Sequence, residues 1–166
     1  LVHPPERLVD ELDLSVTSCV LEIGPGSGFF SATLAKRIPA GTLVLLDLRA
    51  EFVGRVRRRL SKLGLCNFTC TVGDACSLPF RDDSFEAAIL VTVLGETADP
   101  GACIGEAHRV LKPGGILSVT ELWLDPHFVS APELRALISS TGFEHVDIRG
   151  PSRSYTARFR KLSPRG

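Results

Sequence analysis

The 166-residue sequence contains no methionine, not even at position 1. That absence predicts a trimmed or processed piece of a longer product, with an N-terminal extension ahead of Leu1. Net charge is missing too. Nineteen Lys and Arg balance nineteen Asp and Glu, so no global field draws the chain to nucleic acid or to an anionic membrane, and such a partner would have to be held locally. There are no long apolar runs. The stretch from Ala87 to Leu94 falls far short of the roughly 20 residues that span a bilayer, and no basic-then-apolar leader opens the chain. These absences predict a soluble, cytoplasmic protein with no membrane partner.

Cysteine is present, but not in a pattern that suits staples or a zinc knuckle. Cys19, Cys66, Cys70, Cys76 and Cys103 are odd in number and form no Cys-x-x-Cys pair. Cys66, Cys70 and Cys76 have no neighbouring histidine to complete a tetrahedron. Reduced thiols and no metal are expected.

At 44% hydrophobic and 23% charged residues, a chain of this length supports one domain with a core and is too short for two ordinary ones. Cys19–Gly24, Thr42–Asp47, Asn67–Val72, Phe85–Val93 and Gly115–Leu124 read as strands. Several are apolar throughout, as in parallel sheets buried on both faces. Between them, Gly28–Ile38, Ala50–Leu63 and Gly101–Leu111 read as helices. In the second of these, Phe52, Val53, Val56, Leu60 and Leu63 form one face, with Arg55, Arg57, Arg58, Arg59 and Lys62 on a solvated face opposite. Lys112-Pro113-Gly114-Gly115 reads as a turn. Pro132 opens a helix to about Thr141, which Gly142 caps. Phe143–Arg149 and Ser154–Leu162 are joined by a link too short for a crossover, so they must be antiparallel. The alternation predicts an α/β fold with a mostly parallel sheet and one reversed strand, its ligand at the carboxyl ends of the strands.

Gly24-Pro25-Gly26-Ser27-Gly28 follows a strand and opens a helix. Glycines let the backbone turn sharply and let a ligand lie against it, close to free N–H groups at the helix start. Such turns serve many nucleotides. Glu22 narrows the choice, because a carboxylate just ahead of the loop repels a pyrophosphate and suits an ammonium or sulfonium group. The loop reads G-x-G-x-G, which departs from the dinucleotide fingerprint, and a nicotinamide enzyme is the weaker reading.

Five segments share one order and spacing: LEIGPGSG, LLDL, GDACSLPF, DDSFEAAILVTVL and EAHRVLKPGGILSVTE. Together they resemble the class I S-adenosylmethionine-dependent methyltransferases, in particular the small type 11 methyltransferase domains, across roughly Pro5 to Leu162. The resemblance implies a Rossmann-like, doubly wound, seven-stranded sheet of order 3-2-1-4-5-7-6 with strand 7 antiparallel. It implies S-adenosylmethionine as cofactor. Glu22 and the backbone of Gly24, Gly26 and Gly28 would surround its methionine end, and Asp47 would take the ribose hydroxyls with Leu48 against the adenine. Asp74 and the Ala75 N–H would meet the adenine edge, and Val91 and Thr92 would offer a carbonyl to the ammonium.

For methyl transfer, Glu96 and Glu121 are the candidate catalytic acids. Relatives often carry histidines after strand four; this chain has Leu94-Gly95-Glu96 there. Trp123, His127 and Phe128, after strand five, are candidate walls of the substrate pocket. His108 and Arg109 read as structural. An N-terminal helix over about residues 4–14 packs Leu8, Leu12 and Leu14 on the sheet or roofs the cofactor. Tyr155, Ala157 and Phe159 alternate with Thr156, Arg158 and Arg160, which predicts a wet face for the arginines. With no recognition domain and no aromatic-basic platform, the expected acceptor is a small molecule and nucleic acid is disfavoured. The competing class is a non-catalytic S-adenosylmethionine-binding regulatory or scaffolding domain.

Overall fold

Buried apolar strands alternate with one-faced helices around a single sheet. The computed structural model describes residues 4–163. In chain order the elements are α1 (Pro5–Asp10), β1 (Cys19–Ile23), α2 (Phe29–Arg37), β2 (Thr42–Asp47), α3 (Ala50–Lys62), β3 (Phe68–Val72) and β4 (Phe85–Val91). A 3₁₀ turn (Leu94–Glu96), α4 (Pro100–Val110), β5 (Leu111–Leu122), α5 (Ala131–Ile138), β6 (Phe143–Arg149) and β7 (Ser154–Lys161) follow. The sheet order is β3-β2-β1-β4-β5-β7-β6, and β7 runs antiparallel to both β5 and β6. The order reverses between β1 and β4, which opens a crevice at their carboxyl ends.

Each face of the sheet has its own core. On one, Leu21, Leu117, Val119 and Phe159 pack against Ile104 and Ala107 of α4 and Leu134 and Ile138 of α5. On the other, Val20, Ala87, Ile89 and Ile116 pack against Leu8, Leu34, Val56 and Leu60 of α1, α2 and α3. Side chains alternate between faces, so a strand apolar at every position buries both. The helix starts follow from local chemistry. Asp99 accepts the Ala102 N–H ahead of α4, and Ser130 and Glu133 form a capping box around Pro132 at α5. Among the described residues, no helix is long and apolar enough to cross a membrane.

Several boundaries differ from the sequence expectation. β4 ends at Val91, because Thr92 takes a positive φ of 52°. β5 starts at Leu111 instead of Gly115; the Lys-Pro-Gly-Gly segment lies in a register shift, with Phe85 opposite Leu111 and Ala87 opposite Ile116. α5 stops at Ile138, and the Thr141 hydroxyl donates to the Ile138 carbonyl beyond it. α1 is only six residues long, although Leu12 and Leu14 after it are buried.

The wet face expected for β7 holds at Arg160, which is exposed, and is corrected at Thr156 and Arg158. Thr156 is buried, and the Arg158 side chain is only 12% exposed, in an ion pair with Asp147 at 2.6 Å. The reason is the N-terminal segment lying across that face. Arg158 donates to the Glu11 carbonyl, and Arg149 pairs with the Glu11 carboxylate. His108 and Arg109 are structural as expected: His108 meets the Phe143 ring edge-on, and Arg109 binds Glu106, Asp82 and two carbonyls of the β3–β4 connection.

Candidate functional site

The crevice between β1 and β4 is shaped by the glycine turn. Gly24 has φ 66°, and a Cβ there would lie 2.5 Å from Val93 Cγ2. Its absence lets the end of β4 close against the end of β1, while the Gly24 N–H donates to the Leu46 carbonyl at 2.8 Å. Gly26, at φ 52°, is different: nothing lies within 4 Å of where its Cβ would be. Its backbone therefore faces open space. Gly28 caps α2, with Val56 packed where a side chain would sit.

Behind this turn stands Glu22, only 3% exposed, on the strand face that looks toward α2. Burial pushes its carboxyl up to about 7. The neighbouring Ser31 hydroxyl opposes that rise, yet Glu22 Oε2 and Ser31 Oγ are both buried without a hydrogen-bond partner among the described residues. Buried polar atoms are almost always satisfied, so an orphaned carboxylate oxygen beside an open backbone calls for a ligand with donors or positive charge.

The remaining predicted cofactor contacts line the same edge. Asp47, 8% exposed, accepts the Arg49 N–H through Oδ1 at 2.9 Å, and no bond to its Oδ2 occurs among the described residues. Leu48 beside it is 68% exposed, an apolar surface left open to a ring. Asp74 likewise uses Oδ1 on the Cys76 N–H at 2.8 Å, with no bond to its Oδ2 among the described residues, while Ala75 is buried next to it. The Thr92 hydroxyl donates to the Val91 carbonyl at 2.8 Å, and the Thr92 N–H donates to the Thr120 carbonyl. A β-branched residue at positive φ is strained, and such strain gathers at functional sites. A carbonyl has two lone pairs, so Val91 can still receive a second donor.

The groups expected at the acceptor side divide in two. Glu96 and His127, from the loops after β4 and β5, come together with Asp125, their ligand-capable atoms all within 4.8 Å of one another. A Cβ on Gly95 would stand 1.7 Å from the His127 carbonyl oxygen, so the two loops touch through bare backbone. His127 therefore lies beside the segment that follows β4. Glu121, by contrast, is buried at 1% exposure on the α4–α5 face. Burial, helped by the Asp125 charge, raises it to about 7, and its Oε2 accepts the Val129 N–H at 3.2 Å. Phe128 packs edge-on against Tyr155, whereas Trp123 stays 54% exposed under the Arg153 guanidinium.

Sequence reasoning missed Asp125, whose carboxylate accepts the His127 N–H at 2.7 Å, and Tyr155, whose hydroxyl holds the Val129 carbonyl at 2.7 Å. The Asp-Pro-His spacing was the available signal for the first, since an Asp two residues ahead of a loop N–H forms this turn readily. Also missed was a cleft of about 430 Å³ between α1 and the β6–β7 hairpin, lined by Arg7, Arg149, Gly150 and Thr156.

Comparison with known proteins places this geometry. The profile of the Methyltransferase domain family matches residues 21–119. A ubiquinone/menaquinone biosynthesis C-methyltransferase, UbiE, of Dinoroseobacter shibae is 34% identical over 118 residues, 70% of this chain and 47% of that protein. The chain spans less than half the length of the curated relatives it matches. Among solved structures, an S-adenosylmethionine-dependent methyltransferase from Aquifex aeolicus superposes with a TM-score of 0.89 at 20% identity, covering 97% of this chain and 91% of that one. The cyclase SpnF superposes with a TM-score of 0.85 at 23% identity, covering 96% and 81%. The shared sheet, the glycine turn and the family match agree: the chain belongs to the Methyltransferase domain family.

Proposed function

We propose that the chain works as a single cytoplasmic domain that holds S-adenosylmethionine across the β1–β4 crevice and presents its methyl group to a small-molecule acceptor arriving over the ends of β4 and β5. The observation that carries this reading is Glu22, a buried carboxylate with an orphaned oxygen behind the open backbone of Gly26. A ligand with an ammonium group satisfies it and a diphosphate does not. Asp47 Oδ2 takes the ribose hydroxyls, Leu48 lies along the adenine, and Asp74 and the Ala75 N–H meet its edge. The Val91 carbonyl, held by Thr92, accepts from the ammonium.

S-adenosylmethionine supplies a methyl group on a positively charged sulfur, which leaves as a neutral thioether. The protein's share is position. Near-attack placement supplies on the order of 7–11 kcal/mol, and an acceptor that ionises readily needs no dedicated base. Glu96 faces the acceptor side, while Glu121 acts as a positioning residue that roots the loop after β5 through Val129. Neutral net charge argues for a small acceptor over nucleic acid.

Thermal protection tests the cofactor: S-adenosylhomocysteine should raise the melting temperature and NAD should not. Labelled-methyl turnover over a panel of thiols, phenols, carboxylic acids and amines tests the transfer. Fold likeness to a protein called a cyclase shows that this architecture alone does not specify methyl transfer. Tight cofactor binding with no turnover on any acceptor would replace transfer with the regulatory or scaffolding reading.

A further inference from the structure

We infer that Glu96, Asp125 and His127 form a binding site for a first-row divalent cation at the acceptor end of the sheet. Two carboxylates and one imidazole come from two different loops, and their ligand atoms lie within 4.8 Å of one another. Octahedral or tetrahedral sites with metal–ligand distances of roughly 2.1 Å need neighbouring ligand atoms about 3–3.5 Å apart, so small rotations of these exposed side chains close the set. A ligand set that includes imidazole favours a transition ion over magnesium or calcium.

A second observation concerns charge. Glu86, Glu106 and Asp147 each hold a Lys or Arg. Glu96, Asp125 and the buried Glu121 have no Lys or Arg ion-pair partner among the described residues, and His127 Nδ1 lies 3.7 Å from Asp125. Glu121, whose carboxyl feels the Asp125 charge, keeps Oε1 buried with no hydrogen-bond partner among the described residues. Glu96 and Asp125 meet across the two loops without a Lys or Arg ion pair among the described residues, and a divalent ion supplies the compensating charge. The tight approach of Gly95 to His127 keeps the donor loops together.

Three protein ligands leave coordination positions open. Resting on the methyltransferase reading, the site selects an acceptor with a hydroxyl oxygen. The bound hydroxyl loses its proton to water at lower pH, its oxygen lone pair forms the bond to the methyl carbon, and the carbon–sulfur pair leaves with sulfur.

The test uses Mn²⁺, since free thiols such as the exposed Cys66 compete for Zn²⁺. The chelator-stripped chain is titrated with Mn²⁺ and followed by electron paramagnetic resonance, with no cofactor present. One ion per chain is expected, and His127→Ala, Asp125→Asn and Glu96→Gln should each weaken binding at least tenfold while S-adenosylhomocysteine affinity stays within twofold. Absence of a stoichiometric ion in the wild type, or undiminished binding by all three variants, overturns the cation site. Because S-adenosylhomocysteine binding is read separately, its loss alone counts against the methyltransferase reading and leaves the cation site standing. Glu96 and His127 are exposed, so loss of fold cannot stand in for loss of the ion in their variants.

Discussion

Glu22 of β1 and Glu121 of β5 lie on the two strands that flank β4, on opposite faces of the sheet, and look alike in isolation. Both are buried, both are pushed up to about 7, and each keeps one oxygen without a partner among the described residues. Their supports differ. Glu22 projects from β1, flanked by β2 and β4 and backed by α2, so its place is set by strand pairing. Glu121 also sits in a ladder, opposite Tyr155 of β7, but its carboxylate reaches out to hold a loop, and its one side-chain bond among the described residues is to the Val129 N–H eight residues on. On the proposed reading, the cofactor half of the edge is therefore rigid scaffold, and the acceptor half is loop held by side chains. Loops change shape at less cost than paired strands do, so the loop half is the one that can be reshaped for a given acceptor.

The largest expected effect strikes the acceptor half. Gly95→Ala forces a methyl group to within 1.7 Å of the His127 carbonyl oxygen, and backbone cannot move aside as a flexible side chain does. A loss of about 3 kcal/mol in urea unfolding is expected, at the upper end for overpacking. S-adenosylhomocysteine affinity, corrected for the folded fraction, should hold. A variant as stable as the wild type would break the comparison, because the two loops would then not be locked.

Next comes pH, which separates the two acids directly. The folded Glu22 carboxyl keeps its proton to about 7, whereas its ordinary value is 4.5. Between those values the folded chain binds more protons than the unfolded one, so stability is highest below pH 4.5 as far as this group is concerned and falls as pH rises toward 7. The fall reaches about 3 kcal/mol as an upper bound. Glu22→Gln should remove that share of the slope and leave the share from Glu121. An ammonium bound beside Glu22 favours the ionised form, so S-adenosylhomocysteine binding near pH 7 should release protons in the wild type and fewer in the variant. Calorimetry in buffers of different ionisation enthalpy reads this release. Identical proton release in both proteins would remove Glu22 from the cofactor site.

Asp47→Ala acts on the cofactor half with a smaller effect, roughly tenfold in S-adenosylhomocysteine affinity or about 1.4 kcal/mol. Its Oδ1 bond to the Arg49 N–H is local to the start of α3, so the melting temperature of the free protein should drop only slightly. Unchanged affinity in a folded variant would leave Asp47 as a turn residue alone.

The same contrast explains what could be read from sequence. Glu22, the glycine turn, Asp47 and Asp74 lie at strand ends, where a run of residues and its period already determine which face each side chain takes. The sheet order followed from the family resemblance and matches at every strand. The meeting of Glu96 with His127 was not legible, because it depends on the path of two irregular loops about thirty residues apart. Arg158 was misplaced for a related reason: alternation along β7 says which residues share a face but not that the N-terminal segment covers it. The strand start at Leu111 was hidden by Pro113 and two glycines, which signal a turn whether or not a register shift keeps the flanking residues paired.

The smallest predicted effect lies where the acceptor half meets the sheet. Thr120 of β5 and Thr156 of β7 are opposite each other and share a hydroxyl contact at 2.8 Å, buried on the face that carries α1. Thr156→Val leaves the Thr120 hydroxyl buried with one partner fewer, and about 1 kcal/mol should be lost; Thr120→Val should cost a similar amount. The double variant removes both hydroxyls and keeps the shape, so its loss should fall below the sum of the two single losses. Strictly additive losses would mean that the two hydroxyls do not depend on each other, and that β7 is held to β5 by its backbone ladder alone. In that case the acceptor half would share the kind of support that holds Glu22, and the division between rigid cofactor edge and side-chain-held acceptor edge would begin only beyond Leu122, in the loop itself.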